Sequence, residues 1–347
     1  MDSETYLSGM TIEKLKGVAA KAGLPAYAAN QMADWLYKKK VSSIAEMSNI
    51  ALSKRAFLEQ HYELGVYPPV DRMTSSDGTV KYLFSAGTGQ FVETVYIPAD
   101  ERATLCVSSQ IGCKMNCVFC MTGKQAFVGN LTATEILNQI RSVPESDQLT
   151  NVVFMGMGEP FNNSDAVFNV LEILTAPYGY GWSPKRITVS TVGIMKDLQR
   201  FLDESSCHLA VSIHSPYPDE RRTLIPIEKT NPIKDVIHLL RQYDFSHQRR
   251  VSFEYILFDN KNDSVQHAKD LAKILAGIVC RVNLITYHAI PEVPLKKSSW
   301  KKMELFRDTL NAKGIMCTIR SSRGEDIAAA CGMLSTAHSK QQQKNYE

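Results

Sequence analysis

Cys113, Cys117 and Cys120 sit in the run Cys113-Lys-Met-Asn-Cys117-Val-Phe-Cys120. This spacing puts three thiols on one short loop. Three thiolates can hold three irons of a [4Fe–4S] cluster, where a closed ferredoxin-type site uses four cysteines. The fourth iron is then open to a substrate or a cofactor. Two other readings compete. A zinc site asks for a fourth Cys or His nearby, and three buried cysteines can also be unrelated.

Further residues have types and positions that fit chemistry. Gly156-Met-Gly158-Glu159-Pro160 follows an apolar stretch that reads as a buried strand. Glycines let a backbone approach a ligand closely, and a carboxylate there accepts hydrogen bonds from an ammonium group. The plainer reading is a strand-to-helix turn with a carboxylate at the helix start. Cys106 lies seven residues before Cys113, and Cys331 lies among small residues near the C-terminus. Each reads either as a buried thiol or as one of a nucleophile and resolving pair. Glu93, inside Phe91-Val-Glu93-Thr-Val-Tyr-Ile97, reads from its surroundings alone as a solvated strand residue. Cys207, Cys280 and Cys317 lie in or beside apolar segments and read as core.

The elements that must position these residues follow from pattern. Helices are expected from Thr11, from Gln31 through Lys38-Lys39-Lys40, and over Leu52 to Tyr62, before Tyr67-Pro68-Pro69 breaks the pattern. Two strands follow, Thr79–Phe84 and Phe91–Ile97. From about residue 100 strands and helices alternate, with strands expected at Thr104–Ser108, Asn151–Met155, Arg186–Ser190, His208–Ile213, Val251–Leu257 and Arg281–Thr286. Helical patterns such as Ala133–Val143 and Ile233–Tyr243 fill the gaps. Repeated βα units build a parallel sheet, wholly or partly closed into a barrel, whose chemistry sits at the C-terminal ends of its strands. Gln110 to Cys113, Gly156 to Pro160, Ser190 to Gly193 and His214 all gather there.

The chain has 347 residues, of which 44% are hydrophobic, enough for a large domain plus a small one. No apolar run is long enough for a membrane span, and Met1-Asp-Ser-Glu-Thr5 lacks the features of a signal peptide. Clustered cysteines in a chain without secretion signals read as a metal site in a reducing compartment. Net charge is only +3. Lys38-Lys39-Lys40, Lys185-Arg186, Arg249-Arg250 and the lysines around Trp300 form local basic clusters able to meet phosphates, although a charge run is more often a solvated face. Through residue 80, nine Lys and Arg balance nine Asp and Glu, so an RNA contact there depends on charge placement.

In one order, the chain carries Val92-Glu-Thr-Val-Tyr-Ile-Pro98, Arg102-Ala-Thr-Leu-Cys106-Val-Ser-Ser-Gln-Ile-Gly-Cys113, the cysteine triplet, Gly156-Met-Gly-Glu-Pro160, Ser212-Ile-His214 and Arg323-Gly-Glu-Asp-Ile327 through Cys331-Gly332. These signatures resemble the RlmN/Cfr family of radical S-adenosylmethionine (SAM) methyltransferases, the RlmN branch most closely, from about residue 10 to residue 337. The resemblance implies an α/β fold, a partial (β/α)6 TIM-type barrel with a small N-terminal helical accessory domain. It implies boundaries at 1–66 for that RNA-binding domain, 67–98 for a β linker section, 99–338 for the barrel and 339–347 for a polar tail.

It further implies methylation of adenine C2 in 23S rRNA and in tRNA, with two SAM molecules per turnover. Adenine C2 is electron-poor and cannot attack a methyl group as a nucleophile. One SAM would methylate the Cys331 thiolate, and a second would yield the radical that takes hydrogen from that methyl. The methylene radical would join protein to RNA. Loss of the C2 proton and attack by Cys106 on the Cys331 sulfur would release product and leave a Cys106–Cys331 disulfide, later reduced. By position, Cys113, Cys117 and Cys120 would hold the cluster. Gly158, Glu159, Ser190, Ser212, Ile213, His214 and His288 would bind SAM, and Glu93 would accept the proton. His288 stands where many members have Asn, and Met333 follows Gly332 where Gln is common. The implied partners are 23S rRNA, tRNA and a flavodoxin- or ferredoxin-type reductant, for a cytoplasmic monomer.

Three rivals remain. A Cfr-type enzyme would methylate adenine C8, but Pro160 after Glu159 favours the RlmN type. A non-catalytic RNA-binding protein with a structural metal would leave Cys106 and Cys331 idle. A sulfur-inserting radical SAM enzyme would need a second cluster, and the sequence has no second cysteine group.

Overall fold

A computed structural model describes residues 5–87, 89–247 and 249–335; the expected polar tail 339–347 lies outside these residues. The framework is a single ten-stranded sheet. Its strands in chain order are β1 (Asp71–Thr74), β2 (Val80–Ser85), β3 (Phe91–Ala99), β4 (Arg102–Cys106), β7 (Asn151–Phe154), β8 (Ile187–Thr191), β9 (His208–Ser212), β10 (Val251–Leu257), β11 (Cys280–Thr286) and β12 (Met316–Ile319). The two strands between β4 and β7, β5 (Gln110–Ile111) and β6 (Gly129–Asn130), form a separate small ribbon around the cysteine loop.

From β4 to β12 every neighbouring pair is parallel, and helices return the chain between most of them. This is the expected partial barrel. A short seventh parallel strand, β12, extends it beyond the six that pattern indicated. Its exposed residues, with Met316 and Thr318 open to solvent, hide it from a search for apolar runs. The β linker section joins the same sheet, because β3 pairs antiparallel with β4 from Val95↔Cys106 to Ala99↔Arg102. β1, exposed along its length, also carries no apolar signal.

The crossover helices form where apolar residues recur at helical spacing. Ala133–Ser142 is an example. Thr132 accepts from the Glu135 N–H at 3.1 Å, and Glu135 accepts from the Thr132 N–H at 2.7 Å, so the helix start is satisfied reciprocally. The N-terminal helices Ile12–Lys21, Ala28–Ala33 with its continuation Asp34–Lys38, and Leu52–His61 share one continuous apolar core with the barrel. Arg141 reaches out of the barrel helix to the carbonyls of Leu36 and Val41, and Asn138 brackets Tyr67 by both its N–H and its C=O. These bonds satisfy backbone groups that would otherwise be orphaned at the junction. No helix among the described residues is long and apolar enough to cross a membrane.

Candidate active site

A second, smaller apolar cluster lies at the C-terminal ends of the parallel strands. It contains Cys113, Cys117 and Phe119 together with Val192, Ile256 and Phe258. The cysteine loop turns at Gly112 (φ 74°) and Asn116 (φ 52°). A Cβ on Gly112 would sit 2.2 Å from the Ala126 carbonyl oxygen, so only glycine fits. Phe119 meets the His214 ring edge-on at 4.8 Å.

The three thiols border one cavity of about 800 Å³ including its open mouth. Burial pushes the Cys113 thiol up to about 12, Cys117 well above its ordinary value and Cys120 upward. Such thiols do not ionise unaided, whereas a bound metal deprotonates them outright. Backbone N–H groups of Met115, and of Gly123 and Thr122, point at Cys113 and Cys120 respectively and favour the thiolate. Among the described residues no group of three His, Cys, Asp or Glu converges on a single-ion point. A cluster taking one thiolate per iron asks for thiols arranged around a space instead. The donor set fits an iron–sulfur cluster with an open position.

The same cavity is bordered by Gly158, Glu159, Ser190, Ser212, His214, Glu254 and Cys331. Gly158 has φ 99°, and a Cβ there would meet Gln110 at 2.5 Å. Glu159 is 3% exposed. Its oxygens accept from Thr191 Oγ1 at 2.7 Å, the Val192 N–H at 2.9 Å and the Phe161 N–H at 3.1 Å. Burial still pushes its carboxyl up to about 7. A carboxylate offers about four acceptor sites, so capacity remains for a ligand ammonium.

His214 sits at φ 54° and its Nδ1 accepts from the Ile256 N–H at 2.9 Å. Burial pushes its pKa down to about 3, so the ring is neutral with the proton on Nε2. Ile213 has its side chain fully buried, and its carbonyl accepts from Arg221. Arg221 ties the site's loops together: it is fully buried, pairs with Glu228, and donates to the carbonyls of Val192, Ser212 and Ile213 at 2.7, 2.9 and 3.1 Å.

A neighbouring cavity holds Cys106, Arg320, His288 and Ser322, and Cys331 borders both cavities. Cys106 and Cys331 are free thiols, the first buried and the second exposed. Burial and then Cys331 push the Cys106 thiol up to about 12, with Arg320 acting in the other direction. Protein packed about the Cys331 thiol raises it too, again opposed by Arg320. Glu254 holds the Arg320 guanidinium at 3.4 Å. His288, expected to bind SAM, lines this second cavity, 2.9 Å from Ser322 Oγ.

Glu93 borders neither cavity in this conformation. It is buried, 3.1 Å from the Lys81 ammonium through Oε1, and accepts the Ser335 N–H at 2.9 Å through Oε2. Its own carbonyl accepts from Ser108 Oγ, which accepts in turn from the Met157 N–H at 2.9 Å. The strand of Glu93 is thereby linked to the Gly156–Gly158 loop. The segment after Cys331 is strapped down as well, since the Met121 N–H donates to the Gly332 carbonyl at 2.8 Å and Thr122 Oγ1 to the Leu334 carbonyl at 2.7 Å.

Sequence reasoning passed over Lys81, Arg221, Glu254 and Arg320. The one available signal was charge inside apolar runs: Lys81 interrupts Val80-Lys81-Tyr82-Leu83-Phe84, and Glu254 interrupts Phe253-Glu254-Tyr255-Ile256. The basic clusters prove uneven. Lys38 and Lys39 face Asp34, Lys40 pairs with Asp147, and Arg186 and Arg249 are tied to backbone carbonyls. Lys296, Lys297 and Lys301 stay exposed beside Trp300, on a segment whose Leu295 packs into the apolar cluster around the cysteines.

Comparison with known proteins covers nearly the whole chain. The model of the Radical SAM superfamily matches residues 107–272, and that of the ribosomal RNA large subunit methyltransferase N-terminal domain matches residues 5–64. A probable dual-specificity RNA methyltransferase RlmN of Parabacteroides distasonis is 68% identical over 97% of this chain and 98% of its own length. The dual-specificity RNA methyltransferase RlmN of Paracoccus denitrificans is 39% identical over 95% of this chain and 90% of its own. The crystal structure of a radical SAM methyltransferase from Sphaerobacter thermophilus superposes with a TM-score of 0.88 at 38% identity, covering 95% of this chain and 99% of that one.

Proposed function

The chain belongs to the RlmN family of radical SAM RNA methyltransferases, and from that premise we propose how its own residues share the work: Cys331 carries the methyl group, Cys106 releases it and Glu93 accepts the C2 proton of a target adenosine in 23S rRNA or tRNA. The enzyme uses a [4Fe–4S] cluster and SAM. Cys113, Cys117 and Cys120 would hold the cluster, which with SAM supplies a carbon-centred radical able to take hydrogen from a methyl group.

The rest falls to the chain. Glu159 orients an ammonium group, and His214 presents Nε2–H beside it. Gly156 and Gly158 let the backbone close on the ligand. Arg221 fixes the carbonyls that set the loop heights. Cys331 is the observation that carries the reading, because it borders the cavity of the three cysteines and the cavity of Cys106 at once. A carrier that is loaded in one chamber and unloaded in the next needs that position. Release breaks the carbon–sulfur bond at Cys331 as the Cys106 thiolate attacks that sulfur. The bonding pair stays with the methylene carbon, which takes up a proton to become the methyl, while the C2 proton passes to Glu93 and the adduct's unpaired electron would return to the cluster. Arg320, held by Glu254, faces both thiols and favours their ionised forms.

The second cavity, lined by His288, Ser322, Arg323 and Arg320, is polar enough to receive an unstacked adenine. Exposed Lys296, Lys297 and Lys301 with Trp300 offer phosphate and stacking contacts near the mouth. The same reading gives residues 1–66 an RNA-binding role and the enzyme a flavodoxin- or ferredoxin-type electron donor, acting as a cytoplasmic monomer. Mass spectrometry of the Cys331 peptide from cell-made protein tests it. One added methyl on that cysteine supports the carrier role. An unmodified Cys331 in protein that holds cluster and SAM would remove Cys331 and Cys106 from the reaction.

A further inference from the structure

Lys81 has no part in the chemistry described so far, yet its placement is costly. Its side chain is 6% exposed and that of Glu93 5%, with 3.1 Å between ammonium and carboxylate. A well-packed apolar pair of the same volume is commonly as stable as a buried ion pair or more so. The pair therefore calls for a use other than stability.

Strand register shows where it points. Across β2 and β3, Lys81 faces Val95 and Leu83 faces Glu93. Across β3 and β4, Val95 faces Cys106 and Ile97 faces Thr104. Residues opposite one another share a face, as do residues two apart on a strand. Lys81, Glu93, Val95, Ile97, Thr104 and Cys106 thus lie on one face. Ile97, Thr104 and Cys106 of this set line the second cavity.

We propose that Lys81 is the positioning residue of Glu93: it holds the carboxylate turned toward the face that carries Cys106. The inference rests on the reading of Glu93 as proton acceptor. Lys81 grips Oε1 while the Ser335 amide grips Oε2, so the carboxylate plane is set from both ends. When the C2–H bond breaks, the proton goes to a Glu93 oxygen and the bonding electrons stay with the adenine ring. Lys81 acts only through Glu93.

The test uses full-length, cluster-loaded protein with K81M, K81R, K81Q and E93Q, and three readouts: the methyl on Cys331, the protein–RNA adduct on a denaturing gel, and released methyladenosine. K81M is expected to methylate Cys331 normally, accumulate adduct, and release product on the order of tenfold more slowly. K81R is expected to recover most of the release. A merely structural role would lower all three readouts together, and K81R would not separate them. If K81M loses the methyl on Cys331 through misfolding, K81Q, which keeps a donor without the charge, carries the same comparison. Normal release with no adduct in a folded, uncharged variant overturns the proposal. Should E93Q also release product normally, the Glu93 reading has failed first; should E93Q stall where K81M does not, only the role of Lys81 has failed.

Discussion

The backbone N–H of Ser335 donates to Glu93 Oε2 at 2.9 Å, joining residues 242 apart in the chain. Ser335 comes four residues after Cys331, so the loop that bears Cys331 ends on the buried carboxylate. Displacing that loop would break this bond to Glu93. The Ser335 amide is expected to exchange slowly with solvent deuterium, and an E93A variant to lose that protection. Hydrogen-exchange mass spectrometry of the peptide spanning Cys331 to Ser335 measures it; equal exchange in both proteins contradicts the tether.

Gly158 leaves no room for a side chain. In G158A the new Cβ would meet Gln110 from a backbone at φ 99°, and the loop must shift. Because Glu159 is the next residue, SAM affinity is expected to fall by about tenfold or more, equivalent to about 1.4 kcal/mol. Equilibrium dialysis with SAM reads this directly, and unchanged affinity would show that the loop tolerates the shift.

Arg221 and Glu228 are both fully buried. R221M leaves the Glu228 carboxylate without its counter-ion, which costs about 3–5 kcal/mol. The urea midpoint should drop accordingly. The double variant R221M/E228L should regain part of the loss, since no lone buried charge is left. A double variant no better than R221M would mean that the three carbonyl contacts, not the charge pair, dominate.

His208, at the start of β9, gives a pH signature at the opposite end of the strand from the Cys113–Cys120 loop. Burial, then Arg250, Lys185 and Arg281, push its pKa down to about 4. An unfolded histidine titrates near 6.5. Between those values the unfolded chain binds the proton and the folded chain does not, so stability falls as pH drops from about 6.5 toward 4. H208Q should flatten that limb. Urea midpoints at pH 7 and pH 5 for both proteins decide it, and parallel losses would assign the acid limb elsewhere.

Cys331 and Cys106 should also differ toward an alkylating reagent in protein whose Cys331 is unmethylated. The first is exposed, and the second is buried with its thiol pushed up to about 12. Labelling at pH 8 should favour Cys331 by at least about tenfold. Peptide mapping after a timed iodoacetamide pulse gives the ratio.

Motif spacing made much of the candidate site legible. Cys113 to Cys120, Glu159 and His214 are local features, each tied to a turn that its own neighbours dictate. The six expected parallel strands are apolar runs whose burial on both faces leaves a plain signal. Lys81 was passed over because a lysine at an alternating strand position normally faces water; only the diagonal across β2 and β3 turns it toward Glu93. Arg221 hides in Pro218-Asp-Glu-Arg-Arg-Thr, which reads as an exposed charged helix, although Arg221 alone of these points inward. β1 and β12 lack apolar runs because each is an edge of the sheet.

The loop from Arg323 to Cys331 is stapled to the β1–β2 turn, where Asp77 accepts the Gly324 N–H at 3.0 Å and Asp326 accepts from Ser75 and Ser76. Glu93, Lys81, Cys106 and Cys331 all fall outside residues 107–272, the part that the chain shares with the Radical SAM superfamily at large. On the proposed reading the radical generator is a common engine, and what makes it a methylating tool is bolted on from both ends of the chain. A transplant of this chemistry onto another barrel of the superfamily would have to carry the hairpin and the C-terminal loop as a matched pair, since either one alone would arrive without the surface that holds it in place.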